Sequence, residues 1–311
     1  MYKVFIDGKQ GSTGLRIYER IVGAADITLL TLSEAERKDP QARKEKLLEA
    51  DISFLCLPDD AAREAVSFVE GGGARIIDAS SAHRTGHGFA YGFPELSAAH
   101  RVKIEYGMRT AVPGCHASGY IALVYPLVNA GALGKDALLS VTSLTGYSGG
   151  GKKMINEYWE DDRADIYDSP RHYAPGQTHK HLPEMLSYTG LTAAPVMNPI
   201  VADFYAGMLV SVPLHVRQLQ NISSLGALQA IYENHYAGQE MVRVLPANAH
   251  SGFIHAGALA GKDYMEVFFC GNDERITLYA RYDNLGKGSS GAALQCMNIM
   301  LGRPETEGLA L

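Results

Sequence analysis

No CxxC pair and no ladder of cysteines occurs in this 311-residue chain; its four cysteines stand far apart, at 56, 115, 270 and 296. That argues against the usual zinc sites and a disulfide framework, and fits a reducing compartment. No basic block interrupts a mildly acidic composition of net charge −6, so neither nucleic acid nor an anionic membrane is an expected partner. No apolar run reaches the length of a membrane span, and the N-terminus begins on a strand-like run without the apolar core of a secretion signal. Internal repeats, low-complexity tracts and Pro/Ser linkers are missing as well. The expectation is a soluble, cytoplasmic protein. Its apolar fraction of 46% supplies material for substantial cores, and its length allows two domains.

What is present begins with an alternation. A compact apolar run, Tyr2–Ile6, meets Asp7-Gly8-Lys-Gln-Gly11-Ser12-Thr13-Gly14 and then a helix ending near Gly23. Strand, spaced glycines and helix, in that order, suit a dinucleotide: the glycines permit close backbone approach and the helix N-terminus faces a pyrophosphate. A plain structural turn is the alternative. Strand runs at Ile27–Leu32, Ile52–Leu57 and Arg75–Asp78, with helices at Gln41–Glu49 and Asp59–Val69, continue the pattern. They predict a Rossmann-like, doubly wound parallel sheet. Gly8, Gly11, Ser12, Thr13 and Gly14 are the candidate phosphate contacts. After the second strand, Ser33 and Arg37, with Lys38, suit the 2′-phosphate of NADP, whereas Glu34 keeps NAD open.

Two loop-like stretches follow, Asp78–Arg84 and Tyr91-Gly-Phe-Pro-Glu95-Leu, where doubly wound folds place ligands. Arg84 suits a phosphate or carboxylate, or a plain surface role. Then Thr110-Ala111-Val112 runs through Pro113-Gly114 into Cys115, at the start of a helix over Ala117–Val128. Unpaired N–H groups and the positive dipole end lower a thiol pKa there from about 8.5 towards neutrality. The same N–H groups suit an oxyanion. Cys115 is thus a candidate nucleophile, its alternative being a small buried hydrophobe.

Beyond residue 118 the pattern changes. Strand-like runs at Ala137–Tyr147, Val196–Val216, Glu240–Leu245, Tyr264–Cys270 and Ile276–Tyr282, with a helix at Leu225–His235, predict an α+β domain on an antiparallel sheet. Ser148, at the end of the first of these runs, is a candidate substrate contact. A thiolate needs an acid/base partner. His116, next to Cys115, points about 100° away on a helix and is a poor choice. His179 and His181 precede a helix with Pro183 at its first turn. Glu184 turns back more easily towards His181, which makes His181 the acid/base candidate and His179 a substrate contact. A His-x-His pair also suits a metal, but no third ligand stands at plausible spacing, so no metal is expected. Asn284, Lys287 and Gly288 open the last helix, Ala292–Leu301, on a Gly-rich turn that suits the cofactor. That helix is placed back on the first domain, giving boundaries of 1–117 with 284–311 and 118–283.

Taken together, Ala-Val-Pro-Gly-Cys115, Tyr-Gly-Phe-Pro-Glu95-Leu, His-Lys-His181-Leu-Pro-Glu184 and Asp-Asn284-Leu-Gly-Lys287-Gly-Ser-Ser-Gly resemble the N-acetyl-gamma-glutamyl-phosphate reductase family, in its shorter subfamily, from residue 8 to residue 300. The chain departs from the family at His116, where many members carry tyrosine, and at the following Ala-Ser-Gly, where many carry proline. The resemblance implies NADPH-dependent reduction of N-acetyl-L-glutamyl 5-phosphate to the 5-semialdehyde, through a Cys115 thioester, in arginine biosynthesis. It implies a small-molecule substrate and a homodimer or homotetramer. The alternatives are another acyl-phosphate or semialdehyde dehydrogenase such as the aspartate enzyme, a thiol acyltransferase without hydride transfer, and an NADP-holding redox sensor without turnover.

Overall fold

The computed structural model describes residues 1–311. The chain forms two compact units, Met1–Pro113 with Ser289–Leu309, and Gly114–Gly288 with Ala310–Leu311. The crossings therefore fall at 113/114 and 288/289, a few residues from the expected 117/118 and 283/284. The shift has a local cause: the Tyr282 hydroxyl binds the Cys115 carbonyl and Asn284 binds Ser148, which ties both ends into the second unit.

The first unit runs β1 (Tyr2–Asp7), α1 (Ser12–Ile21), β2 (Ile27–Leu30), α2 (Pro40–Glu49), β3 (Ile52–Leu55), α3 (Asp59–Ser67), β4 (Ile76–Asp78), β5 (Ala90–Tyr91), α4 (Ala98–Tyr106) and β6 (Arg109–Ala111). Its six strands pair in parallel in the order β2-β1-β3-β4-β6-β5. All four residues of β3 are buried, as expected of an apolar run inside a sheet covered on both faces. The strand order turns about β1, so the crevice beyond the carboxyl ends of β1 and β3 is the place for a ligand.

The second unit runs α5 (Cys115–Asn129), β7 (Ser140–Gly146), α6 (Gly151–Trp159), β8 (Arg171–His172), α7 (Leu182–Thr189), β9 (Val196–Ala202), β10 (Met208–His215), α8 (Leu225–His235), β11 (Val242–Val244), β12 (Met265–Gly271) and β13 (Arg275–Tyr282). Its seven strands are ordered β11-β12-β13-β10-β7-β9-β8. The sheet is mixed, not antiparallel as expected, because β7 pairs with β9 and β11 with β12 in parallel. Alternation of apolar residues reports a half-buried strand and carries no direction. α5 is apolar nearly all round and packs against β10, β13, α7 and α8. Pro126 inside it has no N–H to give the Ala122 carbonyl. Tyr236 of the segment closing α8 supplies a hydroxyl instead, 2.7 Å from that oxygen.

The last helix, α9 (Gly291–Leu301), packs on α4, α1 and β4 and so rejoins the first unit, as expected. No helix is long and apolar enough to cross a membrane.

Candidate active site

In the first unit the glycine turn meets the crevice. Gly8 has φ +83°, and a Cβ there would sit 2.2 Å from the Cys56 carbonyl oxygen beyond β3. A Cβ at Gly14 would lie 2.6 Å from the Gly8 oxygen, whereas at Gly11 the nearest atom is 3.5 Å away. Two of the three glycines are therefore sterically required. Gly11 caps α1 without any side-chain bond, so the first-turn N–H groups face outward. Ser12 Oγ is buried with no partner within the protein. A cleft of 330 Å³ opens here, lined by Gly8, Lys9, Gln10, Leu32, Glu34 and Arg37 among others. Bare amides, an unsatisfied hydroxyl and a cradle that a Cβ would fill suit a dinucleotide phosphate.

Other expected contacts are placed differently. Thr13 Oγ1 bonds Ser289 Oγ at 3.0 Å and ties α1 to the segment leading into α9. Ser33 forms a capping pair with Glu36, whose carboxylate accepts the Ser33 N–H at 2.8 Å. Ser33 does not line the cleft; Glu34 and Arg37 do, paired with each other, and Gln10 donates to Glu34 at 3.2 Å. Arg84 is buried, its Nε donating to the Val112 carbonyl at 2.9 Å. The Gly-Phe-Pro-Glu segment is no open loop. Phe93, Pro94, Glu95 and Leu96 are buried, and Gln295 of α9 donates to Glu95 at 2.6 Å. His83 Nδ1 lies 2.6 Å from a carboxylate oxygen of buried Asp78, and its ring stacks on Phe89.

The second unit begins with the nucleophile candidate. Cys115 is half-buried in the first turn of α5, whose cap, Gly114, makes no side-chain bond. The Cys115 sulfur and a ring nitrogen of His181 lie within 4.8 Å of each other. His179 and His181 stand edge to face, ring centres 4.6 Å apart, and His179 Nδ1 accepts the His181 N–H at 3.2 Å. Glu184, buried in the first turn of α7, accepts the Gly114 N–H at 3.0 Å and so braces the turn that carries Cys115. Its carboxylate thus reaches the backbone of the residue before the nucleophile, a contact that the local spacing of His181 and Glu184 does not suggest.

His116 belongs to the same cluster. Its Nδ1 lies 2.6 Å from Ser143 Oγ and its Nε2 2.5 Å from the Tyr173 hydroxyl. Burial, helped by the charge of His179, lowers its pKa to about 3 and keeps it neutral. Burial first, and then the nearby Cys115 charge, raise the pKa of Tyr173, so it stays a phenol. The sequence offers no third metal ligand near the His-x-His pair, yet the fold groups Cys115, His116 and His181. Both nitrogens of His116 are committed to Ser143 and Tyr173, so the cluster as it stands is not a ready three-ligand site.

Ser148 and Asn284, one a substrate candidate and the other a cofactor candidate, bond each other at 3.0 Å. Asn284 also accepts the Gly207 N–H at 2.9 Å, so both ends of its amide serve the second unit. Lys287 is buried. Gly288 lies against the nucleophile: a Cβ there would sit 3.1 Å from the Cys115 Cβ. Ser143, Tyr173 and Tyr282 are site members the sequence did not flag. Only Tyr282, directly before Asp283-Asn284, had a motif beside it.

An N-terminal parallel nucleotide-type sheet followed by a mixed-sheet unit opening on a cysteine defines a class. Residues 14–104 match the Semialdehyde dehydrogenase, NAD binding domain, and residues 115–284 the Semialdehyde dehydrogenase, dimerisation domain. In fold the chain is similar to aspartate semialdehyde dehydrogenase II of Vibrio cholerae, with a TM-score of 0.73 at 17% identity over 97% of this chain and 99% of that one. The Candida albicans aspartate semialdehyde dehydrogenase with NADP gives 0.66 at 15% identity, over 97% and 98%. In sequence it is 44% identical over 303 residues to N-acetyl-gamma-glutamyl-phosphate reductase of Sinorhizobium fredii, covering 96% of this chain and 98% of that protein. It is also 44% identical over 316 residues to N-acetyl-gamma-glutamyl-phosphate reductase 2 of Pseudomonas putida, covering 98% of each. The chain belongs to the N-acetyl-gamma-glutamyl-phosphate reductase family.

Proposed function

We propose that this protein reduces N-acetyl-L-glutamyl 5-phosphate to N-acetyl-L-glutamate 5-semialdehyde and phosphate with NADPH, a step of arginine biosynthesis in the cytoplasm. The observation that carries the reading is the Cys115 sulfur within 4.8 Å of a His181 ring nitrogen, in the first turn of a helix. The Cys115 thiolate attacks the acyl carbonyl, the bond from that carbon to the phosphate oxygen breaks, and inorganic phosphate leaves a thioester behind. NADPH, when bound, supplies the hydride that reduces the thioester carbonyl. The carbon–sulfur bond then breaks, releasing the aldehyde and restoring the thiolate. His181 holds and returns the proton exchanged at these steps, and N–H groups of the first turn of α5 steady the oxyanion. Splitting one reduction into acylation and hydride transfer lowers each barrier. His179, Arg84 and Ser148 are the substrate contacts in this reading.

Gly8, Gly11, Ser12, Thr13 and Gly14 would hold the cofactor phosphates, and Arg37 the 2′-phosphate. The mixed sheet supports assembly as a homodimer or homotetramer: β10 buries alternate residues and leaves Leu209, Ser211, Pro213 and His215 on its more open face. The testing assay follows NADP reduction with N-acetylglutamate semialdehyde and phosphate, beside aspartate semialdehyde and beside NAD. Turnover confined to the acetylated substrate, faster with NADP and narrowed towards NAD in Arg37→Ala/Lys38→Ala, is the expected result. Preference for aspartate semialdehyde would move the assignment to the neighbouring enzyme. Equal use of NAD would make Glu34 the ribose ligand.

A further inference from the structure

The first turn of α5 is entered by a side chain from the sheet beneath it. Tyr282, the last residue of β13, is fully buried. Its hydroxyl donates to the Cys115 carbonyl at 2.5 Å and accepts the Gly119 N–H at 3.1 Å. Those two backbone groups are an i,i+4 pair, the one that closes the turn carrying the nucleophile. A buried phenol thus bridges both ends of that closure.

Glycine at 119 makes room for it. A Cβ there would lie 2.7 Å from the Tyr282 hydroxyl and 2.6 Å from Val210 Cγ2. Gly288 does the same on the other side, where a Cβ would stand 3.1 Å from Cys115 Cβ and 3.3 Å from Tyr282 Cε2. Two glycines far apart in sequence therefore admit one hydroxyl to one turn. Burial, and then the Cys115 charge, keep Tyr282 protonated and able to donate.

We propose that Tyr282 is a positioning residue, whose hydroxyl sets the geometry of the first turn of α5 and with it the reactivity of Cys115. It touches no reacting atom; it fixes the backbone from which the sulfur and the oxyanion-holding N–H groups project. Displacing that backbone by a fraction of an ångström misaligns attack without altering the rest of the substrate pocket. The proposal takes Cys115 as the nucleophile, as in the function proposed above.

The test is Tyr282→Phe, which keeps the ring and lets the Cys115 carbonyl and Gly119 N–H close on each other, so no buried backbone group is orphaned. Two quantities are read: kcat and KM, and the iodoacetamide alkylation rate of Cys115 against pH, followed on its own peptide by mass spectrometry. Alkylation needs neither substrate nor cofactor, so an error in the substrate assignment leaves that readout intact. The expected result is a kcat lower by about tenfold or more at nearly constant KM, with a displaced alkylation profile. Gly119→Ala, which pushes on the same hydroxyl, should act in the same direction. The double variant should be no worse than the weaker single variant, as for residues acting through one contact. Wild-type alkylation and kcat in Tyr282→Phe, with only the melting temperature lowered, would overturn the proposal.

Discussion

Cys115 draws on backbone as much as on side chains: it stands in the first turn of α5, and the preceding Gly114 N–H is taken by Glu184. His181 brings the only other chemistry the proposed reaction needs at that sulfur. His181→Asn should depress kcat strongly and flatten one limb of the pH–rate profile, while His179→Asn acts mainly on KM. If His179 governed the pH limb, the two roles would exchange. His116 yields a prediction of another kind. The unfolded chain binds a proton on this imidazole near pH 6.5, which the folded chain refuses until about pH 3. Protonation therefore favours unfolding, and stability falls as pH drops through that window. The loss is roughly 1.4 kcal/mol per pH unit below the unfolded pKa. Urea unfolding at pH 7 and pH 5 should show the wild type losing more stability than His116→Gln; equal losses would mean that His116 is charged in the fold. Cys115 and the His-x-His pair were legible because a Pro-Gly turn and a Pro at a helix start are local signals. Ser143, Tyr173 and Tyr282 were not, because each meets the site from a distant segment. Helix geometry alone set His116 aside, yet the fold brings its ring within 4.8 Å of the Cys115 sulfur and fixes it on Ser143 and Tyr173.

Among elements, the glycine turn between β1 and α1 separates steric need from habit. Gly8→Ala faces both a left-handed φ and a carbonyl 2.2 Å away, and Gly14→Ala a carbonyl at 2.6 Å. Both should abolish NADPH binding, measured by fluorescence titration, whereas Gly11→Ala, with its nearest atom at 3.5 Å, should retain binding within about tenfold. Loss on changing Gly11 alone would mean that the ligand, not the protein, fills that space. Most strand positions were readable from apolar runs, and so were α5, α8 and α9; β5 and β8, two residues each, carry no such run. Strand direction was not, since β7–β9 and β11–β12 are parallel pairs written in the same alternation as their antiparallel neighbours. The Val196–Val216 run is two strands, β9 and β10, because Asp203-Phe204-Tyr205-Ala206-Gly207 turns the chain between them. α6 is not among the elements expected from the sequence; its Tyr158 packs with Tyr147 as a stacked pair.

For the whole molecule, the discontinuous first unit was visible in the Gly-rich approach to a last apolar helix, which α9 fulfils by packing on α1, α4 and β4. The exact crossings were not visible, because they depend on the Tyr282 and Asn284 bonds. The central claim is that a single covalent acyl-enzyme on Cys115 links two half-reactions. Its most direct measurement mixes the protein with N-acetylglutamate semialdehyde and NADP, leaving out phosphate, and follows NADPH formation and peptide masses together. The account predicts a burst stoichiometric with protein, an acyl group on the Cys115 peptide, release of that group on adding phosphate, and none of these in Cys115→Ser although it still binds NADPH. Sustained phosphate-dependent turnover in Cys115→Ser, or turnover with the acyl group on another residue, would contradict it.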